Sequence, residues 1–362
     1  MGIFDFLKAK PSKKPVDIIK ALSICLDRIP IEDSNAGVIL GLTDMECNEL
    51  ENYLAASCVG VTANVYIKKQ PKPEEIEKCI SVAQDTSLLV KIACKAPFLP
   101  PETRRIVSAI WGYFLKIENP KSFQRPMVEH LVSHTEAIDA LIKSYGTNLN
   151  GADVIVGVMI RDACRFAKIV QYVLEKDLIF NIIPVLSSGN FDVSADAFQT
   201  LRELLTNHKD ISAPWLAKNF QRFFEAYMKP LSKFDEAEYV TVRQSLTILS
   251  TLLLDRQFMD TMIQFVNNDG FLKIILILMG NESKVVKFEA FHIFKIFAAN
   301  PSKTPRIARL LNQNHDRICK LLDQIESDRL DDNEFRQDKA AVMAKLESLL
   351  RVQTQPIPKS NG

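Results

Sequence analysis

His130 and His134 stand one helical turn apart in His-Leu-Val-Ser-His, a spacing that can bring two imidazoles to one metal ion. A zinc protease of that pattern needs Glu directly after the first His and a third ligand, and residue 131 is Leu. The pair therefore reads as a helix-surface feature, and no metal is expected. His292 lies among Phe291, Phe294 and Phe297, the setting of a packed core histidine. No Gly-x-Ser-x-Gly and no Gly-x-x-x-x-Gly-Lys-Ser/Thr occurs, so nucleophile-elbow and phosphate-loop chemistry find no residues here. The acidic run at 328–334 lacks the central Gly of a calcium loop and reads as a solvated loop and helix start, where carboxylates complement the helix dipole. The expectation is a protein with no catalytic residues, no cofactor and no enzyme activity.

What remains are cations carried on an apolar helix. In residues 239–256, Leu246, Leu249, Leu252 and Leu253 recur at helical spacing, and Ser245 is small enough to let a neighbouring helix approach. Arg243 and Arg256 lie near the two ends, outside the leucine stripe, pointing to solvent or a partner.

The elements that would position them follow from composition. A chain of 362 residues with 47% hydrophobic and 25% charged residues has ample apolar surface to bury, and exceeds the size at which one core keeps growing. Lys plus Arg is 45 and Asp plus Glu 44, so no net field favours nucleic acid or acidic lipid. The cysteines, Cys25, Cys47, Cys58, Cys79, Cys94, Cys164 and Cys319, are odd in number and have no Cys-x-x-Cys pair, which fits buried thiols in a reducing cytosol. Residues 1–7 are too short for a signal peptide's apolar region, and Phe6 argues against myristoylation at Gly2. The longest apolar run, 274–279, is far short of a membrane span. A cytoplasmic chain is expected.

Residues 1–14 read as a basic flexible leader, 15–350 as a single helical domain and 351–362 as a disordered tail. Pro15 opens a helix at 16–26, and breakers divide the following pattern into segments 45–56, 74–82, 88–94, 102–116, 127–145, 152–174 and 193–208. Ser212 reads as the cap of a helix running to residue 227. The best strand candidate is 59–67, read as loop or irregular helix.

One pattern repeats. Ser245-Leu246 with Leu249 and Leu252 matches Ala290-Phe291 with Phe294 and Phe297, and Ala197-Phe198 with Leu201 and Leu204. Weaker copies are Ala109-Ile110 with Tyr113, and Gly157-Val158 with Arg161 and Cys164. The anchors Ile110, Val158, Phe198, Leu246 and Phe291 are 48, 40, 48 and 45 residues apart, near the period of about 40–47 residues in HEAT and armadillo repeats. A helix with one apolar face is unstable alone, and stacking its copies buries a continuous core. The fold class expected is all-α, an armadillo/HEAT-like right-handed helical-repeat solenoid. Its recurring helix would line one side, plausibly the concave one.

Four segments then carry a resemblance: Pro15-Val-Asp-Ile-Ile-Lys-Ala-Leu22; Phe191-Asp-Val-Ser-Ala-Asp-Ala-Phe198 with Leu204-Leu-Thr-Asn-His208; residues 239–256; and Phe288-Glu-Ala-Phe-His-Ile-Phe-Lys-Ile-Phe-Ala-Ala-Asn-Pro-Ser-Lys-Thr304. Together they resemble the Mo twenty-five scaffold family, also called calcium-binding protein thirty-nine, most densely over 187–304. The resemblance implies a non-catalytic armadillo-like scaffold, a monomer when alone. It would bind a protein kinase or pseudokinase of the sterile-twenty-like, germinal-centre group and stabilise its active conformation. The setting would be polarity, morphogenesis or cytokinesis signalling, with a nuclear-Dbf-two-related kinase network as one possible home. The resemblance maps a concave partner-binding face to Phe191, Tyr239 and Arg243. It maps a pocket for a Trp-Glu-Phe tail to Arg256, Met259, Leu276, Gln313 and Arg317, where relatives carry Phe, Met and Lys at 259, 276 and 313. The alternative is a structural adaptor that tethers cytoskeletal or polarity proteins without activating a kinase. Neither nucleic acid nor a membrane span is implied.

Overall fold

The computed structural model describes residues 14–29, 44–57, 71–119, 124–232, 239–327 and 332–354. Every described element is helical, and no strand occurs among the described residues. The strand candidate at 59–67, the leader through residue 13, Cys58 and positions 328–331 of the acidic run lie outside them. The chain divides into two compact units, Met1–His208 and Lys209–Gly362.

The first unit holds α1 (Pro15–Asp27), α2 (Asp44–Ser57), α3 (Pro73–Asp85), α4 (Leu88–Lys95), α5 (Pro101–Lys116), α6 (Pro126–Ser133), α7 (Glu136–Ser144), α8 (Asp153–Ala163), α9 (Ala167–Glu175), α10 (Ile179–Ile182) and α11 (Phe191–Thr206). Proline opens α1, α3, α5 and α6, where its fixed φ is already helical and its missing N–H is not needed. Asn190 caps α11 by accepting from the backbone N–H groups of Asp192 and Val193. Within this unit α2 packs on α5, α5 on α8 and α8 on α11, so the recurring helices form successive rungs. The Trp111 indole, fully buried on α5, donates to the Met159 carbonyl of α8 at 3.1 Å.

The second unit holds α12 (Lys209–Lys218), α13 (Phe220–Tyr227), α14 (Lys229–Ser232), α15 (Tyr239–Leu254), α16 (Met259–Val266), α17 (Asp269–Leu278), α18 (Lys284–Ala299), α19 (Pro305–Gln313), α20 (His315–Ser327) and α21 (Asn333–Thr354). Here the rungs are α15 on α18 and α18 on α21. Leu246, Leu249, Leu252, Ala290, Phe291, Phe294 and Phe297 are all buried, as the repeat requires. Phe224, Phe265 and Phe271 meet in edge-on, tilted and stacked contacts with centroids 4.9 to 6.0 Å apart, and Phe265 also meets Phe297 of α18 at 5.6 Å.

Several boundaries differ from the sequence reading. The helix expected over 127–145 breaks at His134, and the one over 152–174 breaks at 164–166. Ser212 is no cap: α12 starts at Lys209, runs through Pro214, and buries Ser212 completely. The last helix continues past residue 350 to Thr354.

The copy at Gly157-Val158 is also out of register. Val158 is half-buried, and the α8 core face is Val156, Met159, Ile160 and Ala163. The cause is a buried polar rung. Arg161 Nη1 lies 2.7 Å from Asp196 Oδ1 of α11, and the Tyr145 hydroxyl donates to Asp196 Oδ2 at 2.6 Å. Gly157 is small because that carboxylate sits against it. Burial outweighs the hydrogen bond from Tyr145 and the nearby Arg161 charge, so the Asp196 carboxyl is raised above its ordinary pKa.

Asp162 on the same helix is raised by burial too, despite Lys116 and Arg165 beside it. A carboxyl raised in the folded state binds protons there that the unfolded chain releases above its value of about 3.9. Stability from this group therefore falls as pH rises through the window between the two values. Asp162→Asn removes that fall. Urea midpoints measured from pH 4 to 7 should show the variant gaining on wild type as pH rises. A constant difference would refute the assignment.

Candidate partner-docking surfaces

The residues expected to meet a partner sit at helix starts and on outward faces. Phe191, the first residue of α11 in the first unit, is 60% exposed. In the second unit Tyr239 begins α15 and is 46% exposed, and Arg243 follows one turn later, also exposed. The opposite face of α15 is closed: Thr241, Val242, Ser245 and Leu246 are buried, and the Tyr227 hydroxyl donates to the Ser245 carbonyl at 2.8 Å. Thr247 and Thr251 turn their hydroxyls back onto their own helix. The Arg243 guanidinium pairs with no described residue, so its fork of donors is open to a carboxylate or carbonyl.

At the other end of α15 the chain turns through a short 3-10 helix, Arg256–Phe258. Asp255 sets this turn. Its carboxylate accepts from the Gln257 backbone N–H at 2.9 Å and from Lys209 Nζ at 2.6 Å. The Lys209 hydrogen bond, then the Gln257 one, holds the Asp255 pKa below its ordinary value. The turn presents Arg256, exposed and pairing with no described residue.

Beneath Arg256 opens a cavity of about 420 Å³ whose apolar floor includes Leu254, Met259, Met262 and Val342. A second cavity of about 430 Å³ shares Met259, Met262, Ile296 and Ala299 with it. Leu254, Met259 and Ile263, 45 to 56% exposed, leave an apolar strip open along this edge. Among the described residues, the carboxylates lining the first cavity are Asp255, held by Lys209, and Asp338, held by Lys295 at 2.5 Å. Lys345 on α21 also faces it and pairs with no described residue. Lys303 caps the end of α18 through the Ala298 and Asn300 carbonyls, and burial and the Lys345 charge press its pKa down. An apolar floor under uncompensated cations suits an aromatic or aliphatic segment carrying a carboxylate.

The five residues expected to form one tail pocket are spread over two of the described cavities and one exposed position. Arg256 and Met259 line the one just described. Leu276 and Arg317 line another, of about 220 Å³, between α17, α19 and α20. Gln313 is exposed at the end of α19. Met262, Lys295, Asp338 and Lys345 were not anticipated. Lys295 carried a visible signal, a cation inside the run Phe294-Lys295-Ile296-Phe297.

The histidines behave as packed side chains. His130 and His134 stack with ring centroids 4.1 Å apart, and burial, then His134, lowers the His130 pKa. His292 lies edge-on to Phe288 at 4.3 Å. Among the described residues no group of three or more His, Cys, Asp or Glu side chains could hold a metal ion, and no single helix is long and apolar enough to cross a membrane.

Stacked helical rungs that bury leucine and phenylalanine inward and hold open cations and grooves outward are the make-up of a helical-repeat scaffold. The chain belongs to the Mo25-like family, whose model matches residues 5–350. It is 28% identical over 343 residues to Calcium-binding protein 39-like from Mus musculus, covering 95% of this chain and 97% of that protein. Conidiophore development protein hymA from Emericella nidulans is 28% identical over 375 residues, covering 97% and 94%. Degreening-related gene dee76 protein from Auxenochlorella protothecoides is 34% identical over 245 residues, covering 68% and 74%. Family membership supports a scaffold role for this chain.

Proposed function

We propose that the chain is a non-catalytic cytoplasmic scaffold that binds a kinase or pseudokinase of the sterile-twenty-like group and stabilises its active conformation. Phe191, Tyr239 and Arg243 contact the kinase domain, and the cavity under Arg256 takes a Trp-Glu-Phe-type tail. The observation that carries this reading is α15 itself. It bears an unpaired, outward Arg243 at one end, and an unpaired Arg256 over an apolar cavity follows its other end. Two such anchors suit a bipartite partner, one chemistry for a folded surface and one for a tail. Binding the active arrangement more tightly than the inactive one shifts the kinase population without any reacting group on the scaffold.

In the cavity, Met259 and Met262 adapt to aromatic rings, and Arg256 or Lys345 answers the tail's carboxylate. The tail site proposed here is these residues with Lys295, on the support of the cavity they line together.

The test uses the purified full chain, sterile-twenty-like kinases from the same organism, and a peptide ending in Trp-Glu-Phe. Arg243→Ala should weaken kinase binding about tenfold, and Arg256→Ala should weaken the peptide by a similar factor. Kinase turnover should rise on adding wild type. No binding by any such kinase, or unchanged binding by both variants, sinks the proposal. Binding with flat turnover would favour the tethering adaptor.

A further inference from the structure

Three soft donors meet where α20 packs on α21. Cys319 Sγ lies 3.8 Å from both ring nitrogens of His315, one turn before it on α20, and 3.8 Å from Met343 Sδ on α21. All three side chains are half-buried, so the cluster is sheltered yet within reach of a small solute. None of them lines the cavities under Arg256 or between α17, α19 and α20. α21 gives Asp338, Val342 and Lys345 to the space under Arg256, and Lys339 and Met343 to α20.

The spacing is held from both sides. One turn beyond Cys319, Asp323 takes Lys339, which also pairs with Glu326, and Lys339 stands one turn before Met343. The two helices therefore run antiparallel with a charged rung and a sulfur rung in register. Asp316 lies 3.2 Å from His315 Nδ1, so the tautomer protonated there donates to it and leaves the Nε2 lone pair available.

A thiol carries one proton and cannot serve two ring nitrogens and a thioether together. A metal ion can join all three donor groups. An ion about 2.3 Å from each sulfur and about 2.0–2.1 Å from nitrogen, in a trigonal arrangement, sets its donors about 3.7–4.0 Å apart. The observed separations fall in that range. Donor type chooses the ion, since a thioether beside a thiolate suits Cu(I) and is foreign to the usual zinc ligand sets. Burial first, then the charges of Asp316, Asp323 and Glu347, raises the Cys319 pKa. Those same carboxylates favour a cation at the sulfur.

We propose that Cys319, His315 and Met343 form a three-coordinate Cu(I) site that clamps α21 to α20. Among the described residues His, Cys, Asp and Glu alone make no metal site, and the Met343 thioether is the donor that completes this one. Cu(I) takes the place of the thiol proton, which leaves to solvent, and no change of oxidation state is involved.

The test titrates the full chain, reduced and metal-free, with Cu(I) buffered by the chelator bicinchoninate. Wild type should take up one Cu(I) against the chelator, X-ray absorption should show two sulfurs and one nitrogen around it, and the thermal midpoint should rise with metal. Cys319→Ser, His315→Gln and Met343→Leu should each weaken that site at least about tenfold and remove the rise. Met343→Leu keeps an apolar side chain of similar volume, so its metal-free midpoint should match wild type and separate lost binding from lost folding. Cys94→Ser, at the other half-buried thiol among the described residues, should leave uptake unchanged. Three results would each overturn the proposal: no uptake against the chelator, equal uptake by Cys319→Ser or Met343→Leu, or copper surrounded by sulfur alone. The kinase reading rests on Phe191, Tyr239, Arg243 and Arg256, none of which takes part here.

Discussion

Arg104→Ala should cost the first unit about 4 kcal/mol of stability, a large effect for one side chain outside the apolar core. Arg104 is only 3% exposed, and its guanidinium is shared among backbone carbonyls. It donates to Leu99 O at 2.7 Å, to Asn150 O at 3.1 Å and to Ala96 O at 3.2 Å, with Pro97 O further off at 3.4 Å. These carbonyls lie in and beside the two 3-10 turns, Ala96–Phe98 and Leu149–Gly151; Ala96 O also accepts from the Leu99 N–H and Pro97 O from the Asn150 amide. Burial presses the Arg104 pKa down while Asp153 pulls it up, so the charge is retained at a cost that the hydrogen bonds offset. Truncation removes the one described donor from each of the Leu99 and Asn150 carbonyls, each worth about 1–3 kcal/mol before relaxation. Arg104→Lys keeps the charge but cannot reach three carbonyls, and should fall between. The check is urea unfolding followed by the buried Trp111, in a Trp215→Phe background that removes the other indole. A midpoint shift within error of wild type would refute the account.

Gly157→Ala pits two effects against each other. Helix propensity favours Ala over Gly by about 1 kcal/mol in a helix interior. Packing opposes it, because an added Cβ would fall 1.7 Å from Asp196 Oδ2 and 2.8 Å from Asp196 Cγ. Asp196 cannot step aside without leaving Arg161 and Tyr145, and an uncompensated buried charge costs about 3–5 kcal/mol. A net loss of about 3 kcal/mol is expected. Gly112→Ala is the control. There the nearest atom is the tip of Asp162 at 2.7 Å, a side chain whose Arg165 partner is more than half exposed. Gly112→Ala should be close to neutral in the same unfolding assay. Equal effects at both glycines would show that propensity, not the ion pair, governs the site.

The contrast between these glycines marks what a sequence can carry. The small–large pattern at Ala197-Phe198, Ser245-Leu246 and Ala290-Phe291 was legible because each rung buries the same face, whatever stacks on it. At Gly157 the pattern slipped by one or two residues, because the neighbour filling the space is Asp196, some 40 positions on, and a single helix does not announce its partner. The breaks at His134 and at 164–166 carry no Gly or Pro to mark them in the sequence. Pro214, which usually marks an end, lies inside α12. The docking cavity shows the same limit. Arg256 and Met259 are adjacent in the chain and could be paired on paper, whereas Lys295 and Lys345 come from α18 and α21 and meet them only in three dimensions. Leu276 and Arg317, which the resemblance maps to the tail pocket, line a second cavity between α17, α19 and α20.

The Arg161–Asp196 pair has a consequence for how the first unit assembles. A stack of near-equivalent rungs faces an indexing problem, since aliphatic stripes stick to one another in several offsets. A slide of one helical turn, about 5.4 Å, would cost α8 and α11 little in leucine and valine contact. It would strand Asp196, Arg161 and the Tyr145 hydroxyl in an apolar seam without one another. The Arg161–Asp196 rung thus works as a locating pin, tolerating one offset and penalising the rest, while the greasy residues around it supply the adhesion.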